Sequence, residues 1–352
     1  MTISSKKNSN FNAEKPAEII KLDLNENPLG ASPLAITAGQ QAMLNCHRYP
    51  DNDGFSLKKF LSAHLSILPE NITLGNGSES LLELIVKNTL GPSNSAVIPS
   101  FCFTGISKIL KKANIAVKIA KNSHSYLSAV SLLEAIEPMT TAVFIVNPNN
   151  PTGNYMNKLE LHYLLRRLPQ NIFVVIDEAY AEYVETDDYP DSIQLLKQSP
   201  NLIILRTFSK IYGLAGLRLG YAISGLEIAA SLNIGSLPFR VNAVALAAAE
   251  ASLKDQKHVN STRLLNRLGY LQLSKGLQNL GLEALPSYAN FLCIDLKSPS
   301  WPIYQQLLLY GISVRPLYDY SLARFLRVSI GTDMQNQYFL KTLEKILIKS
   351  SL

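Results

Sequence analysis

Between about residues 70 and 225 the chain repeats one pattern: a short apolar run, a polar or glycine-rich turn, then a stretch with helical period. The runs are I-T-L (72 to 74), A-V-I (96 to 98), A-V-F-I-V (142 to 146), I-F-V-V-I (172 to 176) and L-I-I-L (202 to 205). Runs apolar at every position must be covered on both faces, and strands separated by helices pair in parallel. The pattern predicts an α/β fold whose large domain is a mainly parallel sheet covered by helices. Two of the covering helices are legible: Ser78 to Asn88, with Leu81, Leu82, Leu84 and Ile85 inward, and the alanine-rich stretch after Pro238.

From about residue 257 the pattern changes to a charged helix (261 to 280), shorter strand-like pieces (N-F-L-C-I-D-L and F-L-R-V-S-I) and a terminal helix. A chain of 352 residues exceeds one ordinary core. The expected division is an N-terminal arm that contributes to a small domain (1–44), a large domain (45–255) and a small α+β domain (256–352).

Ligands of open parallel sheets bind beyond the carboxyl ends of the strands, so the turn after each run matters most. In order, the turns are G-N-G-S-E-S, P-S-F, N-P-N-N-P-T-G, D-E-A-Y and R-T-F-S-K. All five are predicted to share one edge. The first could bring backbone N–H groups to an anion at a helix N-terminus, or be simple punctuation. It is not a dinucleotide fingerprint, because Ser80 stands where a third glycine belongs and no acidic residue comes at the required distance; G-x-x-x-x-G-K-[ST] is absent too. Asp177, at the end of an apolar strand, is either a helix cap or a carboxylate that needs a cation or strong donor. The N-P-N-N-P-T-G turn either punctuates or presents amides. Lys210 and Arg218 then come within T-F-S-K-I-Y-G-L-A-G-L-R.

Other classes are excluded by composition. The longest apolar runs are four to seven residues against roughly twenty for a membrane span, so no membrane partner is expected. The N-terminus is polar, lacks the apolar core of a secretory signal and reads as an arm. Cys46, Cys102 and Cys293 are scattered and odd in number, which argues against a disulfide framework or metal site and fits a cytoplasmic protein. The net charge of +6 is dispersed, so no nucleic acid is expected as a partner; anionic small substrates explain the excess.

One chemistry needs these parts together. A lysine for a Schiff base, an aspartate for a pyridine nitrogen, phenol and amide donors for a ring oxygen and an anion seat describe a pyridoxal 5′-phosphate site. From L-D-L-N-E-N-P-L-G (22 to 30) to V-S-I-G-T (328 to 332), through H-R-Y-P-D, D-E-A-Y and G-I-S-V-R-P-L, the chain resembles the fold-type I pyridoxal-phosphate-dependent aminotransferases. Within them it is most similar to the histidinol-phosphate branch, which exchanges an amino group between L-histidinol phosphate and 2-oxoglutarate in histidine biosynthesis.

The resemblance implies roles for single residues. Lys210 carries the cofactor and moves the Cα proton, Asp177 pairs with the pyridine nitrogen, and Asn150 and Tyr180 donate to the ring oxygen. Ser209, Arg218, the backbone at Ser78 and Glu79, and Thr207 seat the phosphate. Phe101 stacks on the ring. Tyr49 reaches the neighbouring subunit's cofactor, which implies a homodimer. Arg327 and Arg315 take the substrate's anionic groups, and Asn27 stands near its phosphate. Nearby readings are an aromatic amino acid aminotransferase and a threonine-phosphate decarboxylase; from another class, a catalytically inactive regulator of the same fold.

Overall fold

A computed structural model describes residues 18–121 and 127–350. The polar arm expected at the N-terminus lies, up to residue 17, outside the described residues. The first strand, β1 (Ile20–Lys21), belongs to the C-terminal part of the molecule.

Among the described residues seven strands form the large sheet: β2 (Ile72–Gly75), β3 (Ser95–Pro99), β4 (Ala116–Ala120), β5 (Thr140–Val146), β6 (Phe173–Asp177), β7 (Leu202–Thr207) and β8 (Gly220–Ser224). Their spatial order is β2-β8-β7-β6-β5-β3-β4, and β8 alone runs antiparallel to its neighbours. Because β8 is antiparallel to both β2 and β7, those two run the same way. The five runs legible in the sequence therefore all end at one edge.

β4 and β8 carry weaker sequence signals. β4 is an edge strand with exposed Lys118 and Ile119, and β8 comes after a glycine-rich turn without a helix between.

Alternation along each strand sends its apolar residues to two cores. Val143, Ile145, Val174, Ile176, Ile204 and Ile223 pack with the helices Phe55–Leu65, Lys158–Arg167 and Ala243–Lys254; Phe144, Val175, Ile203 and Leu205 pack with Ser78–Thr89, Thr104–Lys112 and Leu226–Ile234. Side chains with almost no exposure on both faces are the physical content of a doubly covered sheet.

The second sheet is antiparallel, of order β12-β13-β10-β9, from β9 (Glu283–Leu285), β10 (Phe291–Asp295), β12 (Arg315–Leu317) and β13 (Leu322–Ser329); β11 (Ile312–Ser313) pairs instead with β1. A separate core built on Leu273, Leu292, Leu326, Val328 and Phe339 also takes Leu22. The N-terminal segment is thereby anchored to C-terminal strands. The charged helix begins earlier than its sequence pattern suggests, at Gln256, because the Asp255 side chain accepts from the His258 N–H and caps it. Among the described residues no helix is long and apolar enough to cross a membrane.

Candidate active site

Register aligns the strand ends: Gly75 faces Gly220, Gly220 faces Thr207, and Asp177 lies between Val146 and Leu205. Beyond this edge opens a cavity of about 460 Å³. Its walls bring together Ser78, Glu79, Asn150, Asp177, Tyr180, Thr207, Ser209, Lys210 and Arg218, nine of the residues singled out in the sequence.

One end of the cavity is built for an anion. The helix Ser78–Thr89 starts there behind Gly77, which has no side chain to cap its first N–H groups. Such groups and the helix dipole favour negative charge. Gly77 has φ +88°, and a Cβ on it would come within 2.7 Å of Arg218 Nη2, so the guanidinium lies directly over the turn. Arg218 is itself held by a bond from Nη1 to the Ala215 carbonyl, 3.1 Å away. Thr207 Oγ1 accepts from the Ser209 N–H at 3.0 Å and shapes the turn that carries Lys210.

At the other end lie the titratable groups. Burial pushes the Asp177 carboxyl up to about 6, against the opposing Ala179 N–H bond and the Lys210 charge. Burial brings Lys210 down to about 8, helped by the Arg327 cation and opposed by Glu26 and Asp177. The lysine is thus no solvated surface charge. Its Nζ donates to the Leu24 carbonyl at 2.9 Å. Burial also raises the Tyr180 phenol, to about 12, so it enters the site as a hydrogen-bond donor.

Arg327 reaches the cavity through Asn150. Its Nη1 donates to Asn150 Oδ1 at 2.6 Å and its Nη2 to the Asp23 carbonyl at 2.6 Å, while Nε is buried without a partner among the described residues. With Oδ1 engaged, the Asn150 amide is left with its N–H donors for the cavity. Arg315 is the strand partner of Arg327 but does not line the cavity; its guanidinium bonds Asp319 at 2.7 Å.

Two residues expected at the site are not among those that line the cavity. Phe101 is not on the cavity wall. Its backbone takes φ +57°, its carbonyl accepts from Asn149 Nδ2 at 3.0 Å, and its ring packs against the cluster of Cys293, Leu317, Tyr320 and Leu322; Phe103 lines the cavity instead. Asn27 is not aimed at the cavity either. It is buried, its Nδ2 donates to the Ile211 carbonyl and Thr262 Oγ1, and its Oδ1 accepts from the Leu29 N–H. Its hydrogen bonds clamp the N-E-N-P-L-G segment onto the lysine turn. Gly213 makes room for that contact: a Cβ there would meet the Gly30 carbonyl oxygen at 2.2 Å. Tyr49 is 82% exposed, stacks on Phe239 with centroids 4.6 Å apart, and does not line this chain's own cavity.

Sequence reasoning missed Asn25, Phe103, Leu24 and Glu26. The last two line the cavity mouth, and their signal was present in L-N-E-N-P-L-G. It also passed over the pair beneath the site, where Arg206 donates from Nε (3.0 Å) and Nη2 (2.8 Å) to Glu178 Oε2. The Glu178 side chain is completely buried. Removing one partner of such a pair strands a charge, at a cost of about 3 to 5 kcal/mol. Arg206→Met is expected to lower unfolding stability by that amount, measured by urea denaturation; an unchanged midpoint would show that the pair carries no such role.

The comparisons with known proteins agree with this geometry. The model of the family described as aminotransferase class I and II matches residues 17–343. Histidinol-phosphate aminotransferase 2 of Pseudomonas fluorescens (strain Pf0-1) is 42% identical over 334 residues, 95% of this chain and 90% of the relative. Histidinol-phosphate aminotransferase 2 of Pseudomonas aeruginosa is 43% identical over 336 residues, 94% of this chain and 90% of the relative. Among solved structures, histidinol-phosphate aminotransferase from Sinorhizobium meliloti, in complex with pyridoxal-5′-phosphate, superposes with a TM-score of 0.88 at 27% identity, covering 95% of this chain and 92% of the other. The architecture is that of the fold-type I enzymes, and the chain belongs to the class I and II aminotransferase family.

Proposed function

We propose that this chain transfers an amino group between L-histidinol phosphate and 2-oxoglutarate, with pyridoxal 5′-phosphate as cofactor, as a cytoplasmic step of histidine biosynthesis. The observation that carries the reading is one cavity holding a lysine amine lowered to about 8, a buried carboxylate and an arginine-backed helix N-terminus. A buried carboxylate with so high a proton affinity is poised for a cationic partner, and the helix end for a phosphate. The residues present fit the cofactor at both ends.

When bound, the cofactor supplies an electron sink next to the substrate's Cα. Lys210 provides the attachment point and the base that moves the Cα proton; its lowered proton affinity keeps a useful fraction of the amine neutral near pH 8. Asp177 holds a proton at the pyridine nitrogen. Asn150 and Tyr180 orient the ring through its oxygen. Ser78, Glu79, Thr207, Ser209 and Arg218 seat the phosphate, and Phe103 takes the wall position expected of Phe101.

Arg327 takes the carboxylate of the 2-oxo acid and the phosphate of histidinol phosphate in turn, since its fork suits either anion. Arg315, opposite it on β12, adds a second positive charge for a dianion. The names carried by relatives 40 to 43% identical favour histidinol phosphate over aromatic amino acids.

The same reading makes the protein a homodimer in which Tyr49 reaches the neighbouring site. Apolar side chains support it: Leu34, Ile36, Met43, Leu44, Ile234 and Leu237 are all at least half exposed. Ile36 and Met43 among them line one apolar surface groove with Ala35, Leu214 and Val244, and exposed apolar patches mark association sites.

The test is a substrate panel on the cofactor-loaded protein. Glutamate formation from histidinol phosphate and 2-oxoglutarate is expected, with kcat/KM at least ~10²-fold above phenylalanine or tyrosine, because a phosphate dianion can meet the charge of both Arg327 and Arg315 whereas a single carboxylate matches only one. No turnover of histidinol phosphate where an aromatic donor reacts well would overturn the substrate assignment. Carbon dioxide release from O-phosphothreonine would redirect it to decarboxylation.

A further inference from the structure

We infer that Asn25 is a positioning residue: its side-chain amide donates to the Tyr180 phenol oxygen and so aims the phenol's own proton into the cavity. The inference rests on the cofactor reading and adds a residue that the fold places but that reading does not use.

Asn25 is 1% exposed, and its Nδ2 lies 2.9 Å from the Tyr180 oxygen. In the structure the N–H₂ end of the amide faces the phenol and the carbonyl end faces Ser329. The Ser329 oxygen accepts from the Asn25 backbone N–H at 2.8 Å, and its single proton goes to Asn25 Oδ1 at 3.1 Å. With this orientation the phenol oxygen accepts from Asn25, and the phenol's own proton is left for the cavity.

The backbone is arranged for the same purpose. Asn25 has φ +55°, in the left-handed region that asparagine tolerates better than most residues. That turn places the preceding carbonyl, Leu24 O, at Lys210 Nζ while the side chain turns to Tyr180. The Asn25 carbonyl accepts from Asn290 Nδ2 at 2.9 Å. One residue thus connects the lysine, the phenol and strand β13, which carries Arg327 two positions from Ser329.

A phenol that accepts a hydrogen bond is a stronger donor of its own. Asn25 therefore strengthens the Tyr180 donation to the cofactor's ring oxygen, and its loss leaves that oxygen more basic. Tyr180 is also faced by Arg327, Asp177 and Tyr320, and the Lys210 ammonium stands 5.8 Å from its ring. The Asn25 side chain bonds Tyr180 and Ser329 rather than these groups. They form the background against which its effect is read.

The experiment titrates the visible absorbance band of the cofactor-loaded protein with pH, alongside steady-state kinetics. Asn25→Gly removes the amide without backbone strain and is expected to move the midpoint up by roughly half a pH unit or more and lower kcat ~10-fold, with KM held within ~2-fold. Asn25→Asp keeps the volume but accepts the phenol's proton, so a larger shift in the same direction is expected. Ser329→Ala leaves Asn25 in place and only loosens the amide; a smaller shift of the same sign is expected. In a Tyr180→Phe background the Asn25→Gly effect should vanish, as required of a residue that acts through the phenol.

Midpoints that stay at the wild-type value in all three variants would overturn the assignment, as would equal shifts with and without Tyr180→Phe. A wild-type protein that shows no cofactor band overturns the cofactor reading and this inference with it. A normal wild-type band with unresponsive variants overturns this inference alone.

Discussion

Lys210→Ala is expected to lower transamination by ~10⁴-fold or more and to leave a protein that borohydride no longer labels. Both effects follow from the two purposes proposed for one amine, attachment point and base at the substrate's Cα, and a well-placed base alone is worth up to ~10⁴-fold. The structure shows why this lysine can act at moderate pH. Burial and the Arg327 cation lower it to about 8, and the Leu24 carbonyl at 2.9 Å holds the amine at the cavity. Lys210→Arg should be as damaging, because guanidinium stays protonated throughout the working range. Absorbance after addition of cofactor, borohydride labelling and turnover of histidinol phosphate check the prediction. Wild-type turnover in Lys210→Ala would end the assignment.

Asp177→Asn is expected to move activity and stability in opposite directions. Turnover should fall on the order of 10³-fold, because a neutral amide cannot keep a proton on the pyridine nitrogen. The cofactor-free protein should become more stable at neutral pH. In the folded chain the carboxyl holds its proton to about pH 6; unfolded, it releases it near its ordinary 3.8. Between those values the folded state binds more protons, so stability falls as pH rises through that window and the full penalty is present above it. The gap corresponds to about 3 kcal/mol, which asparagine removes. Urea denaturation of cofactor-free wild type and variant at pH 8 and pH 5 measures it, with the larger difference at pH 8. A variant less stable than wild type at pH 8 would contradict the view that this carboxylate is held at a cost in folding stability for its cofactor.

How much of this was visible beforehand depended on whether a residue's role is local. Asp177 and Lys210 could be read because each comes at the end of an apolar strand run, and a parallel sheet sends such ends to one edge. Gly77 and Arg218 could be read because a glycine turn before a helix has a physical use. β8 could not: it comes directly after the lysine turn without a helix between, and pairs with β2, whose partner residues lie about 150 positions away. The choice between Phe101 and Phe103 was equally hidden. It turns on a positive φ at Phe101 and a hydrogen bond from Asn149, and neither is encoded in the spacing of aromatics in P-S-F-C-F.

Asn25 and Asn27 show the same division within three residues. Both stand in N-E-N-P, and sequence pattern drew attention to the second. In the folded chain Asn27 spends its amide on Ile211 and Thr262, whereas Asn25 meets Tyr180 from 155 positions away and Ser329 from 304.

By itself the sequence determined the strand runs, the helices over them, the shared edge and the kinds of groups gathered there, because these come from periodicity and from the geometry of strand ends. Only the tertiary structure decided which side chains face the cavity and which are consumed in holding it, because that choice is made by hydrogen bonds between segments hundreds of residues apart.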